Sequence, residues 1–139
     1  MNKSHIGYIT SRPINGGIVP HRVQNIIINH YAENNNIDVN LSATEYNLGN
    51  SLSILKNILS QTEINGILFY SIKMLPEDIH ILEQIFSFVS EGLELHFCAE
   101  NLYLNSKNLE DFKIDFLYAR VVDKNKADYY SYKLKNPQI

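Results

Sequence analysis

The chain has 139 residues, 45% hydrophobic and 19% charged, which suits one globular domain able to form a core without disulfides or a structural metal. Twelve Lys and Arg against fifteen Asp and Glu give a net charge of −3, and a chain built to grip nucleic acid is usually basic because it must neutralise phosphates. Cys98 is the single cysteine, which excludes an intramolecular disulfide, a Cys-based zinc site and a thioredoxin-like pair.

The N-terminal Met1-Asn2-Lys3-Ser4-His5 leads into a strand-like run without a signal-peptide pattern. Ile6–Thr10 reads as a first strand, and Asn15-Gly16-Gly17 as a flexible loop. From Pro20 a helical pattern places Val23, Ile26, Ile27, His30 and Tyr31 on one face, and Asn34-Asn35-Asn36 stops it. Ile37–Ser42 reads as a second strand. Ser51–Ser60 reads as a helix with Leu52, Leu55, Ile58 and Leu59 on its apolar face. Asn65-Gly66 is expected to turn, and Ile67-Leu68-Phe69-Tyr70 is the most apolar strand, hence central.

A third helix is expected from about Pro76 to Glu91, with Glu77 and Asp78 at the positive end of its dipole. Ile79, Leu82, Phe86 and Val89 form its buried stripe, and Gly92 ends it. Leu93–Cys98 alternates as a fourth strand. Asn108–Val121 fits both periods; the spacing of Leu109, Phe112 and Phe116 favours a helix. The domain is taken as residues 1–122, and the polar, Lys- and Tyr-rich residues 123–139 as a tail. No apolar run approaches the ~20 residues that span a bilayer, so a cytoplasmic protein without a membrane span is expected.

Alternating strands and helices predict a three-layer α/β fold with a mostly parallel sheet of four to five strands in the flavodoxin-like order 2-1-3-4. Ligands of such folds bind beyond the carboxyl ends of the strands, at the switch point between strands 1 and 3. That rim holds Ser11 and Arg12 after strand 1, Thr44, Glu45 and Tyr46 after strand 2, Tyr70 and Ser71 at strand 3, and Glu100 after strand 4. Gln24 and Asn25 lie one turn into the first helix.

Arg12, planar and permanently charged, suits a phosphate or carboxylate, or an ion pair with Glu45 or Glu100. Glu45 and Glu100 suit proton transfer, the holding of hydroxyls, or pairing with Arg12. With Ser11 they are the candidates for chemistry. Arg12, Gln24, Asn25, Thr44, Tyr46, Tyr70 and Ser71 are the candidates for ligand contact.

A lone His96 among apolar strand residues reads as structural. His21, His30 and His80 lie on helices without ligand spacing, and His5 opens strand 1. No H-x-x-x-H pair occurs, so no metal is expected. Cys98 reads as a buried hydrophobe. Dinucleotide and P-loop fingerprints and a G-x-S-x-G elbow are absent from the sequence, and no cofactor is expected.

Gly7-Tyr8-Ile9-Thr10-Ser11-Arg12-Pro13, Val23-Gln24-Asn25, Leu41-Ser42-Ala43-Thr44-Glu45-Tyr46, Phe69-Tyr70-Ser71 with Leu75-Pro76, and Leu95-His96-Phe97 with Glu100 resemble the sporadic carbohydrate cluster protein family over roughly residues 5 to 120. Its members are encoded among bacterial surface-polysaccharide genes. The resemblance implies a role in making a surface glycan such as lipopolysaccharide. The expected ligand is a sugar phosphate or nucleotide sugar, handled by an enzyme or by a non-catalytic accessory protein that contacts pathway enzymes. Tyr129-Tyr130-Ser131-Tyr132 is a candidate partner contact, and spare apolar helix surface makes a homo-oligomer plausible.

A weaker resemblance is to the catalytic domain of serine recombinases, which start with a Gly-Tyr strand and carry a Gln early in the first helix. Their chemistry needs a Ser after strand 1 and several Arg around the scissile phosphate. Here Ser11 and Arg12 differ in order and spacing, and Tyr70 to Pro76 contains no Arg. Without guanidiniums the transition state lacks charge stabilisation. The resemblance therefore implies a shared fold rather than DNA chemistry.

Overall fold

The computed structural model describes residues 4–14, 16–46, 52–61 and 63–120. The chain divides into two units, Met1–Ser106 and Lys107–Ile139. The expected boundary at 122–123 and the tyrosine-rich tail lie outside the described residues.

The first unit runs β1 (Ser4–Thr10), α1 (His21–Asn34), β2 (Val39–Glu45), α2 (Ser53–Leu59), β3 (Ile64–Phe69), a 3-10 turn (Ile72–Met74), α3 (Ile79–Ser90), β4 (Glu94–Phe97) and β5 (Leu102–Leu104). The five strands form one sheet in the order β2-β1-β3-β4-β5. The first four are parallel, and β5 runs antiparallel to β4. This is the expected three-layer α/β fold with a mostly parallel sheet. The antiparallel edge strand forms because Asn101, at φ 55°, turns the chain back directly after β4; Asn tolerates that left-handed conformation better than most residues. Among the described residues no helix is long and apolar enough to cross a membrane.

β3 is the central strand, as its apolar sequence predicts, with Ile67, Leu68 and Phe69 fully buried. Tyr8, Phe69 and Phe97 line up across β1, β3 and β4 with ring centroids 5.3 and 5.7 Å apart. On the sheet's other face Ile9, Leu68 and Cys98 pack with Ile28, Tyr31 and Ala32 of α1. Each such large side chain contributes about 1.5–3 kcal/mol by leaving water.

The structure corrects four local expectations. β2 runs to Glu45, so Thr44 and Glu45 are strand residues rather than loop residues. Asn65 and Gly66 lie inside β3 rather than in a turn. There Asn65 Oδ1 accepts the Ser4 amide at 2.9 Å, joining the starts of two strands.

α3 starts at Ile79, not Pro76, because the Asp78 carboxylate accepts the amides of His80 and Ile81 and caps the helix. Ile79 is consequently exposed, and the buried stripe is Leu82, Ile85, Phe86 and Val89.

The buried face of α1 is Gln24, Ile28, Tyr31 and Ala32, while Val23 and Ile26 are exposed. The helix takes this rotation because Gln24 binds the end of β1. Its Oε1 accepts the Thr10 amide at 3.0 Å, and its Nε2 donates to Thr10 O and Val19 O, each at 2.8 Å.

In the second unit residues 109–120 are helical, as the spacing of Leu109, Phe112 and Phe116 favours. Phe112 and Phe116 stack with centroids 5.6 Å apart, and the Arg120 guanidinium lies 4.4 Å from the Phe116 ring centroid.

Candidate ligand cleft

A cleft of about 470 Å³ opens at the carboxyl ends of β1 and β3, the switch point of the sheet. Its size falls within the ~300–1,000 Å³ common for small-molecule sites. One wall comes from β1 and its following loop: Tyr8, Thr10, Arg12, Pro13 and Ile14. The other is the turn after β3, from Lys73 to Asp78, with Ile81. Leu52 completes the lining and holds a left-handed φ of 46°, a strained conformation for a branched apolar residue.

Among the described residues, Arg12 and Lys73 are the cations of this lining. The Arg12 amide donates to Thr10 Oγ1 at 2.9 Å, and Ser11 N donates to Glu45 O at 2.8 Å. These bonds fix the path of the chain as it leaves β1. Glu77 and Asp78 add carboxylates on the opposite wall, and the Asp78 carboxylate also caps α3.

Glu45 is only 3% exposed. Its Oε1 accepts the Tyr8 hydroxyl at 2.9 Å and the Leu55 amide at 3.1 Å, and its Oε2 accepts the Ile54 amide at 3.1 Å. A carboxylate bonded to the first amides of α2 is favourable to the helix dipole. Burial, followed by the Glu45 charge and hydrogen bond, pushes the Tyr8 phenol far above its ordinary value of 10.

Glu100 does the same for the turn after β3. Its Oε2 accepts the Ser71 hydroxyl at 2.7 Å and its Oε1 the Ile72 amide at 2.8 Å. Ser71 Oγ in turn accepts the Lys73 amide at 3.1 Å. Both carboxylates expected at the rim therefore clamp backbone beside the cleft.

Of the candidate contact residues, Arg12 borders the cleft and the others do not. Gln24 is fully buried in its clamp on β1. Asn25 Oδ1 accepts the Ser42 hydroxyl at 3.4 Å on the α1–β2 side. Thr44 is half-buried in β2, paired with Ile9, and Tyr46 is exposed beyond it. Tyr70 packs against the α1-side core, and its carbonyl accepts the Ala99 amide at 2.8 Å.

Ser11 Oγ lies 2.8 Å from His21 Nε2, a hydroxyl–imidazole contact missed at the sequence level because His21 opens a helix with no ligand spacing. Among the described residues no carboxylate holds the other His21 ring nitrogen, so the orienting third member of a nucleophilic triad is missing there. Lys73 likewise carries no motif that would mark it. It stands in the seven-residue stretch from Tyr70 to Pro76 that carries no arginine.

Cys98 is buried, and burial, then the Glu100 charge, pushes its thiol from 9 up to about 12, the state of an inert hydrophobe. Burial also lowers His96 below its ordinary value, so this imidazole is held neutral.

Comparison of the chain with protein families, with curated proteins and with solved structures finds no match. The fold and the cleft thus define an α/β protein with a crevice at its switch point lined by both cations and carboxylates, and the functional reading rests on that crevice.

Proposed function

We propose that this protein binds a phosphorylated or nucleotide-linked sugar in the cleft between Arg12 and the Lys73 turn, as a cytoplasmic component of bacterial surface-carbohydrate biosynthesis. The observation that carries the reading is that Arg12 and Lys73 both line one cleft at the carboxyl ends of β1 and β3. A planar guanidinium and an ammonium together match a phosphate, and the nearby carboxylates suit the hydroxyls of a sugar. The resemblance to the sporadic carbohydrate cluster family supplies the ligand class and the biological setting.

Binding without chemistry is the reading favoured by the carboxylates. Glu45 and Glu100 spend their oxygens on backbone amides and on Tyr8 and Ser71. An enzymatic reading would rest on Ser11 and His21, whose hydroxyl–imidazole contact suits proton removal from a hydroxyl but does not line the cleft itself.

Calorimetric titration with hexose phosphates and nucleoside-diphosphate sugars tests the proposal. Wild-type protein should bind one of these ligands, with affinity that falls as salt is raised. Arg12→Ala and Lys73→Ala should each weaken binding by about tenfold or more. Full affinity in both variants would sink the assignment. Turnover of the bound ligand, abolished by His21→Ala, would decide for the enzyme.

A further inference from the structure

A second cluster lies at the opposite end of the sheet. His5 of β1, Gly66 of β3 and Glu94 of β4 stand in register across three neighbouring strands. His96 follows Glu94 by two residues, so both side chains leave β4 on the same face. Gly66 opens the row. A Cβ there would lie 2.5 Å from His5 Cδ2 and 2.8 Å from His5 Nε2, and Gly66 is not among the glycines of positive φ. Space for the imidazole, not backbone conformation, is what glycine provides.

His5 Nε2 lies 3.6 Å and His96 Nε2 3.4 Å from Glu94 Oε2, and the three donor atoms fall within 4.8 Å of one another. The histidines are 5% and 8% exposed. His96 Nε2 is buried and makes no hydrogen bond, its nearest charged neighbour being Glu94 Oε2 at 3.4 Å. Leaving such an atom unpartnered is costly. The other ring nitrogen, Nδ1, is 2.7 Å from Tyr31 Oη. A proton on Nδ1, donated to Tyr31, leaves the Nε2 lone pair facing the cluster.

We propose that His5, Glu94 and His96 bind a divalent transition ion, zinc by chemistry and geometry. Two imidazoles and a carboxylate are the donors zinc takes. Donors ~2.0–2.1 Å from one ion at the tetrahedral angle stand roughly 3.3 Å apart, close to the separations from Glu94. Tyr31 is the positioning residue that orients His96. A cleft of about 490 Å³ bordered by His5, Glu94, Asp38 and Asn40 gives the ion and water access. This site is separate from the anion cleft, and neither assignment depends on the other.

The test uses the full chain, stripped with chelator at neutral pH and titrated with zinc chloride by calorimetry and with cobalt(II) by visible absorption. One ion per chain is expected, with the intense bands of tetrahedral cobalt. Glu94 is partly exposed, so Glu94→Gln should fold, as circular dichroism will verify, and bind zinc about 100-fold more weakly. His96→Ala should do the same, and Tyr31→Phe should weaken binding roughly 10–100-fold. Zinc should raise the thermal midpoint of wild type but not of Glu94→Gln. His30→Ala and His80→Ala should bind as wild type. Absence of stoichiometric binding, undiminished affinity in Glu94→Gln, or loss in His30→Ala would each overturn the proposal.

Discussion

Tyr8 and Glu45 join β1 to β2 through a buried hydrogen bond of 2.9 Å, and the same carboxylate receives the first amides of α2. One side chain thus ties two strands and a helix together beside the ligand cleft. Glu45→Ala should destabilise the fold by about 3 kcal/mol, because it orphans buried donors. Tyr8→Phe should cost about 1 kcal/mol, since Glu45 keeps its two amides. Urea unfolding of both single variants and the double variant checks this. A coupling energy near zero would mean that the pair is independent.

Stability should also fall at high pH. The folded-state Tyr8 value is raised, so below pH 10 folded and unfolded chains both hold the proton and the stabilisation is complete. As pH rises past 10 the unfolded chain loses the proton first, and stability declines toward the folded-state value. Cys98 and Tyr31, each pushed up to about 12 mainly by burial, act in the same direction from 9 and 10 respectively. Urea midpoints from about pH 8 to about pH 11 should drop, and Tyr8→Phe should make the decline shallower. A flat profile would contradict the burial of these groups.

Gln24 offers a sharper test of hydrogen-bond polarity. Its Nε2 donates to two carbonyls while its Oε1 accepts the Thr10 amide. Gln24→Glu keeps the shape but turns an acceptor toward those carbonyls, and it should cost more than Gln24→Leu. The expected losses are about 4 and about 2–3 kcal/mol respectively, read from chemical denaturation. The reverse order would show that the side chain acts by packing alone.

Glu100 links stability to ligand binding. Glu100→Ala releases the Ile72 amide and the Ser71 hydroxyl, and the turn that carries Lys73 loses its clamp. Hydrogen exchange at the Ile72 amide should quicken by about tenfold or more. Affinity for the proposed sugar-phosphate ligand should fall although Glu100 does not border the cleft. Faster exchange with unchanged affinity would separate the turn from the site.

Much of the architecture was legible in the chain. Alternating apolar runs and helical spacings gave the order of strands and helices, and the apolar Ile67-Leu68-Phe69 marked the strand that ends up central. The position of the cleft followed from topology, because strand order alone creates the switch point after β1 and β3. Arg12, alone after the first strand, was visible as its cation.

Side-chain partners were not legible in this way. Periodicity reports which face of an element is apolar, but partners depend on register and loop path, which arise from packing between distant segments. Gln24 rotated α1 away from its most apolar stripe because Thr10 needed a buried partner. Glu45 and Glu100 became backbone clamps because the starts of α2 and of the 72–74 turn came within reach of them.

The pattern of the 139 residues by itself determined an α/β domain, the order of its first four strands and one cation at the predicted ligand edge, whereas the antiparallel β5 was not foreseen. Only the tertiary structure decided that Lys73 joins Arg12 and that His5, Glu94 and His96 meet above Gly66. Parallel pairing sets those residues side by side across strands far apart in the chain, and no local spacing encodes that alignment.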